Sequence, residues 1–129
     1  MLRALLFAVF SALVASPLAA QSSSLKRLDT GDDSRGWEAV GRLNIDGKGF
    51  CTGALIAPNL VLTAAHCLYS SQTKKRIDHA QIEFLAGWRN GRASAYRMVK
   101  RAVVHPDYDY SSKATAERVR NDVALLELH

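Results

Sequence analysis

The chain has 129 residues, a formal net charge of +5 and 48% hydrophobic residues, so it accommodates at most one ordinary domain after any targeting segment. Its basic residues are scattered apart from the cluster Lys74-Lys75-Arg76, whose polar neighbours are typical of a solvated loop. No aromatic residues are interleaved with this cluster, so a nucleic-acid partner is not expected. Charge alone indicates no specific activity.

The first 20 residues have the layout of a secretory signal peptide. Arg3 supplies a positive charge, residues 4–15 are almost entirely apolar, and small residues precede the polar stretch that starts at Gln21. A membrane anchor is the alternative, but about 12 apolar residues are too few to span a bilayer. The sequence therefore predicts cleavage near Ala20 and an exported protein, secreted or periplasmic, with no stable membrane span once the signal peptide is removed.

Short strands dominate the rest of the chain. Residues 21–35 are polar and are predicted to form an exposed leader or propeptide. The next segment alternates, with Ala39, Gly41, Leu43 and Ile45 on one face. Turn signals separate the predicted strands, which are residues 38–46, 50–57, 60–63, 81–88, 96–105 and 122–128. Two single helical turns are predicted at 64–68 and 114–120. At least five short strands without a long helical period predict an all-β antiparallel barrel or sandwich.

The chain ends at His129, directly after the last predicted strand. Natural domains rarely stop with a core strand and no trailing residues to cover it. We therefore expect the sequence to be truncated.

Two cysteines, Cys51 and Cys67, are an even number in a chain predicted to be exported, which favours a disulfide. Closing a loop of about 16 residues would stabilise the fold by roughly 3 kcal/mol. A zinc site is the alternative, but His79 and His105 show no short Cys/His ligand spacing. Neither a metal nor an organic cofactor is expected.

One histidine and one aspartate have positions suited to chemistry. His66 lies in the sequence Leu-Thr-Ala-Ala-His-Cys, where a strand gives way to a turn, and is either an ordinary half-buried histidine or a general base. Asp122 opens an apolar strand, a costly place for a carboxylate unless it is hydrogen-bonded, and His66 is a candidate partner. Taken singly, each residue is weak evidence, because packed histidines and turn aspartates are common.

Four sequence segments, taken together in their order along the chain, are more specific evidence for a protein family than any single residue. They are GFCTGALIAPNLVLTAAHC at 49–67, VVHPDY at 103–108, NDVALLEL at 121–128 and GWEAVGRL at 36–43. Together they resemble the N-terminal barrel of the trypsin/chymotrypsin-like serine proteases, with an opening strand in the style of bacterial glutamyl-endopeptidase-like members. The likeness covers residues 36–129. It implies an antiparallel Greek-key β-barrel, the first of a two-barrel fold whose second barrel is absent from this sequence.

The resemblance also implies a role for each candidate site residue. His66 would be the general base and acid, Asp122 would accept the Nδ1 proton of His66, and a disulfide between Cys51 and Cys67 would brace the histidine. The predicted function is a serine-type endopeptidase that cleaves peptide or protein substrates through an acyl-enzyme. The alternative is a non-catalytic secreted homologue that acts as a binding protein.

The nucleophile that the resemblance requires is not found. In the family, Gly-Asp-Ser-Gly-Gly follows the aspartate in the second barrel, whereas seven residues follow Asp122 here. The GDDS at 31–34 lies in the polar leader without the flanking glycines, and Ser94, Ser111 and Ser112 have no elbow signature. We therefore expect a fragment that has the base and its orienting acid but is inactive without the missing C-terminal barrel.

Two further departures from the family pattern concern the leader and one loop. After the dibasic pair Lys26-Arg27 the chain has Leu-Asp-Thr-Gly where many relatives have Ile-Val-Gly-Gly, so activation by a new amine is not assumed. The stretch 107–120 is long for the loop before the aspartate. In relatives this loop borders the substrate groove, which makes Tyr108 and Tyr110 candidates for peptide contact, with a solvated insertion as the alternative.

Overall fold

The structure is a computed structural model that describes residues 27–129. The predicted signal peptide, residues 1–20, and residues 21–26 of the predicted leader lie outside the described residues. The strands are β1 Val40–Ile45, β2 Gly49–Ala57, β3 Leu60–Thr63, β4 Ile82–Ala86, β5 Ala95–Val104 and β6 Ala124–Leu128. Two 3-10 helices, Ala65–Leu68 and His79–Gln81, and the helix α1, Thr115–Arg120, connect them. None of the helices in the described residues has the length and apolar character needed to cross a membrane.

The six strands form a closed antiparallel barrel in the order β1-β2-β3-β6-β5-β4. The pairing of β1 with β4 closes it, with Leu43 opposite Phe84. Closure removes the unpaired edges that an open sheet would expose. The prediction of an all-β antiparallel barrel is confirmed, and of the two predicted architectures the barrel rather than the sandwich is present.

Several predicted strands are longer than those observed, and local hydrogen bonds explain why. Strand β1 starts at Val40 rather than at residue 38 because the Val40 N–H donates to the Trp37 carbonyl in a turn (3.0 Å). Strand β4 ends at Ala86 because Gly87, at φ 59°, turns the chain. The predicted alternation holds for Gly41, Leu43 and Ile45, which face inward, but it was wrong for Ala39, which is exposed and precedes the strand.

The inward side chains of the strands and the first 3-10 helix fill the barrel. The largest fully buried side chains of this core on the strands are Leu43, Val61, Ile82, Phe84, Val99 and Leu126. Ala65 (0% exposed) and Leu68 (1%), both in the first 3-10 helix, join this core. The segment that carries His66 is therefore anchored on both sides by buried residues.

Gly41 allows β1 and β4 to approach closely inside the barrel. A Cβ on Gly41 would lie 2.4 Å from the Leu85 carbonyl oxygen and 2.6 Å from the Phe84 ring. We expect Gly41→Ala to lower the free energy of unfolding by about 1–3 kcal/mol because backbone atoms have to move. Urea denaturation checks this, with Gly49→Ala as the matched control because a Cβ there meets nothing within 4 Å. Equal stability of the two variants would contradict this interpretation of the packing.

Most residues of the chain segment before the barrel, from Arg27 to Arg35, are exposed, but hydrogen bonds attach this segment to the barrel. The guanidinium of Arg89 donates to the carbonyls of Leu28 (3.2 Å) and Asp29. The backbone of Arg89 is itself fixed by two hydrogen bonds with Arg92, of 2.7 and 2.9 Å, across a tight turn. A side chain on a rigid hairpin thus fixes the position of the chain just before the barrel.

Candidate active site

His66 lies in the 3-10 helix that follows β3. Ala64 is extended, Ala65 is buried in the core, and Cys67 is covalently bonded to β2, so the backbone on either side of His66 is fixed. The imidazole itself points out of the barrel and is 55% exposed. This combination of a fixed backbone and an accessible ring suits a reactive group better than a core residue.

Asp122 lies between the end of α1 and the start of β6. Its N–H donates to the Val119 carbonyl (3.3 Å), and the Asn121 side chain donates to the Asp107 carbonyl (3.2 Å). The carbonyl of the next residue, Val123, accepts the N–H of His105 (3.0 Å). Asp122 is therefore held between the helix, the 107–120 loop and the barrel, and its side chain is 22% exposed.

The strand register brings His66 and Asp122 together. Thr63, the last residue of β3, pairs with Ala124, the first residue of β6, so the segments beyond these strand ends leave the barrel at the same edge. Asp122 Oδ2 lies 2.6 Å from Nδ1 of His66, and Asp122 Oδ1 accepts the backbone N–H of His66 (2.8 Å). Because a carboxylate only accepts, the neutral ring carries its proton on Nδ1 and leaves Nε2 free to accept one.

Tyr108, in the loop before Asp122, is buried against the barrel core. Its side chain is 9% exposed, and its ring centroid lies 5.9 Å from that of Tyr69. Burial raises the pKa of Tyr108 to about 12, and the negative charge of Asp122 adds to the effect. The phenol therefore stays neutral around physiological pH. Tyr108 is a packing residue of the barrel rather than the exposed peptide contact that the loop position suggested.

The two cysteines form a disulfide that joins β2 to the helix of His66. The Cα atoms of Cys51 and Cys67 are 6.2 Å apart. Their sulfur atoms and a ring nitrogen of His66 lie within 4.8 Å of one another, which is a geometry that could suit a metal ion. However, the two sulfurs are bonded to each other and offer no thiolate, the form in which cysteine binds zinc. The predicted disulfide is confirmed.

A family comparison agrees with this arrangement of elements. The family model of trypsin matches residues 30–129, which is most of the chain. The chain belongs to the trypsin family. The predicted resemblance to trypsin-like serine proteases is thereby confirmed, and proteases of this family act on peptide or protein substrates.

Individual relatives in the trypsin family come from distant organisms. Mast cell protease 3 of Ovis aries is 35% identical over 96 residues, which cover 74% of this chain and 34% of that protein. A trypsin of Saccharopolyspora erythraea is 39% identical over 86 residues, which cover 64% of this chain and 32% of that protein. The trypsin-family chain therefore spans about a third of the length of these relatives.

Among solved structures, a Glu endopeptidase in complex with MPD has a TM-score of 0.58 and 21% identity. The match covers 73% of this chain and 40% of that chain. At this level of identity the similarity supports the trypsin-like fold alone.

In the described part of this trypsin-family chain, none of the serines at positions 34, 94, 111 and 112 hydrogen-bonds to His66. Ser34 donates to the Gly31 carbonyl (2.9 Å), Ser111 donates to Asp109 (2.7 Å), and the Ser112 hydroxyl accepts from the Ala114 N–H (3.1 Å). Within residues 27–129 the side chain of His66 hydrogen-bonds to Asp122 and to no serine hydroxyl.

Beside the trypsin-like pair lies a groove that the sequence did not predict. Its volume is about 770 Å³, and His66 and the disulfide form one wall. Tyr110 lines it and stacks on Tyr69, with ring centroids 4.9 Å apart and planes 8° apart. The sequence indicated Tyr110 as a candidate but missed Tyr69, whose only signal was its position three residues after His66.

Proposed function

We propose that this chain is the N-terminal barrel of a serine endopeptidase that cleaves peptide bonds through an acyl-enzyme. His66 is the general base that takes the proton of a serine and then the acid that delivers it to the leaving amine. Asp122 holds the imidazole in one tautomer and stabilises the imidazolium. The observation that carries the proposal is that one carboxylate, Asp122, accepts hydrogen bonds from both the ring and the backbone N–H of the same histidine.

The serine and the oxyanion donors are supplied by sequence outside these 129 residues, in a second barrel. Support comes from the sequence, which has no Gly-Asp-Ser-Gly-Gly, and from the relatives, of which the matched region covers 34% and 32%. The test is to read and express the coding sequence downstream of His129. We expect a Gly-x-Ser-Gly motif there, peptide turnover by the longer protein, and no turnover of peptide esters by the 129 residues alone.

Two results would contradict the proposal. Turnover by the purified 129-residue chain that His66→Ala abolishes would mean that the nucleophile lies within it. A downstream frame without Gly-x-Ser-Gly would favour the alternative, a secreted non-catalytic homologue that binds a partner. The two outcomes can be told apart, because only in the first does the protein turn over peptide esters.

An apolar stripe on the outside of the barrel supports a second barrel as partner. Leu62 of β3 pairs with Leu125 of β6, and Leu125 pairs with Val103 of β5. All three side chains are exposed, by 39%, 37% and 54% respectively. Ile56 of β2 (55% exposed) also contributes an apolar side chain on the strand next to β3. A contiguous apolar surface of this kind marks a protein contact more often than a free surface.

We expect the isolated chain to be poorly soluble or to bind a hydrophobic dye through this stripe. Replacing Leu62 and Leu125 with Thr should reduce dye fluorescence without lowering the melting temperature much, because both side chains point away from the core. Val119→Thr is the control, since Val119 is 66% exposed on α1 and lies outside the stripe. A monomeric chain that unfolds cooperatively and binds no dye would contradict this interpretation.

We also propose export and a domain organisation. Residues 1–20 act as a signal peptide, residues 21–35 as a leader or propeptide, and residues 36–129 as the barrel. The support is the charged, apolar and small-residue layout of the first 20 residues, together with the disulfide, since such bonds persist in oxidising compartments.

A further inference from the structure

The groove beside His66 has apolar walls and a cationic rim. The disulfide and the stacked rings of Tyr69 and Tyr110 form the apolar part. The remaining walls are the β1–β2 turn and the loop of residues 69–78, which contains the cluster Lys74-Lys75-Arg76. The sequence suggested only a solvated loop for this cluster, whereas in the structure two of its residues, Lys75 and Arg76, line the same groove as His66.

Two acidic residues also line the groove, and only Asp46 is paired with a cation. The carboxylate of Asp46 pairs with Lys48 Nζ (2.5 Å), and the carboxylate of Asp78 accepts the Ala80 N–H (3.0 Å). These bonds hold both carboxylates in place at the rim, and the Asp46 bond also offsets one cation.

The cations of the loop are only partly used. Arg76 donates one of its five N–H groups to the Ala102 carbonyl (2.7 Å), and the Lys74 ammonium lies 5.7 Å from the centroid of the Tyr110 ring. Lys75 lines the groove, and among the described residues its ammonium has no ion-pair or hydrogen-bond partner. An anionic group that enters the groove therefore meets an unpaired lysine beside an apolar floor.

We propose that this groove binds the first residues of the leaving peptide and selects acidic side chains there. The inference rests on the proposed function, in which His66 Nε2 passes its proton to the amine nitrogen as the C–N bond breaks. The residues that follow that nitrogen must then lie next to His66, where the groove begins. Lys75 is the specificity-determining residue, and the guanidinium of Arg76 adds to the positive potential of the groove.

Peptide binding to the 129-residue chain tests the inference without requiring a nucleophile. The probes are tripeptide amides with a free amine and either Glu or Gln at the first or second position, since Glu and Gln differ in charge but little in shape. Titrations are followed by NMR through the ring protons of His66. We expect the Glu peptides to bind about fivefold more tightly, with the difference shrinking in high salt, as for an exposed charge pair.

Variants assign the effect to one residue. Lys75→Gln should bring the Glu and Gln peptides to similar affinity, and Lys75→Glu should reverse the preference in favour of a Lys-containing peptide. Arg97→Gln is the matched control, because it removes the same charge from an exposed residue of β5 that does not line the groove and should leave the preference intact. Circular dichroism confirms that each variant is folded.

Several results would overturn the inference. They are equal binding of Glu and Gln peptides, an unchanged preference in Lys75→Gln, or no saturable shift of the His66 ring with any peptide. The proposed function fails separately. A longer protein that cleaves peptides without preferring acidic residues after the scissile bond would refute the groove alone, whereas acid-selective binding without turnover by the longer protein would refute the peptidase.

Discussion

Replacing Asp122 with Asn is expected to lower kcat of the protein completed with its nucleophile by about 10⁴-fold, the loss known for the same change in the Ser-His-Asp triad of this family. The structure gives a reason specific to this chain. The backbone N–H of His66 donates to Oδ1 at 2.8 Å, so an amide oxygen stays at that position. The amide NH₂ is then directed at Nδ1 and the ring proton moves to Nε2. In that tautomer Nε2 already carries a proton, so it has no lone pair with which to accept the proton of a serine.

The control is Asp107→Asn, which makes the same chemical change at an exposed aspartate of the neighbouring loop. It should leave kcat essentially unchanged. Steady-state kinetics on a peptide ester, with the unfolding midpoint of each variant measured in parallel, separate catalysis from stability. A loss of less than about tenfold in folded Asp122→Asn would mean that the carboxylate does not orient the base.

Removing the disulfide is expected to have the largest effect on stability. The bridge closes a loop with a sequence separation of 16 residues, for which chain entropy gives about 3 kcal/mol. The double variant Cys51→Ala/Cys67→Ala should therefore have a free energy of unfolding about 3 kcal/mol lower than that of the parent chain. Urea denaturation of the variant and of the parent chain with its disulfide intact measures this difference. In the complete enzyme, kcat should fall as well, because the helix of His66 loses its tie to β2.

Thr52→Ala is the matched control for the disulfide, because Thr52 is the exposed neighbour of Cys51. Its backbone carbonyl accepts a hydrogen bond from the Thr63 hydroxyl (2.8 Å), and the substitution leaves that carbonyl in place. The Thr52→Ala variant should be nearly as stable as the parent chain. If the double alanine variant and Thr52→Ala unfold at the same urea concentration, the bridge contributes nothing to the barrel.

The sequence indicated His66 as a candidate partner of Asp122, and the structure shows what brings them together. The apolar strands that precede His66 and follow Asp122 are neighbours in the barrel, and their register carries both residues to one edge. The two strands themselves are visible as local apolar patterns in the sequence. The distance of 2.6 Å between His66 Nδ1 and Asp122 Oδ2 follows from strand pairing that the sequence indicated only through the family resemblance.

Contacts between distant segments could not be predicted in the same way. The Arg89 side chain donates hydrogen bonds to the backbone carbonyls of Leu28 and Asp29. Because every residue has such a carbonyl, no sequence pattern indicates which ones will accept. The stacking of Tyr69 on Tyr110 depends on how two irregular loops fold against each other. The position of Lys75 at the groove likewise depends on loop geometry, and a basic cluster alone is usually just solvated.

The ¹⁵N NMR spectrum of the His66 ring shows which ring nitrogen carries the proton, and so whether Asp122 orients the base. We expect neutral His66 in the 129-residue chain to be protonated on Nδ1 with an unprotonated Nε2, and Asp122→Asn to reverse this tautomer. A ring protonated mainly on Nε2, or a tautomer that Asp122→Asn leaves unchanged, would contradict this role of Asp122.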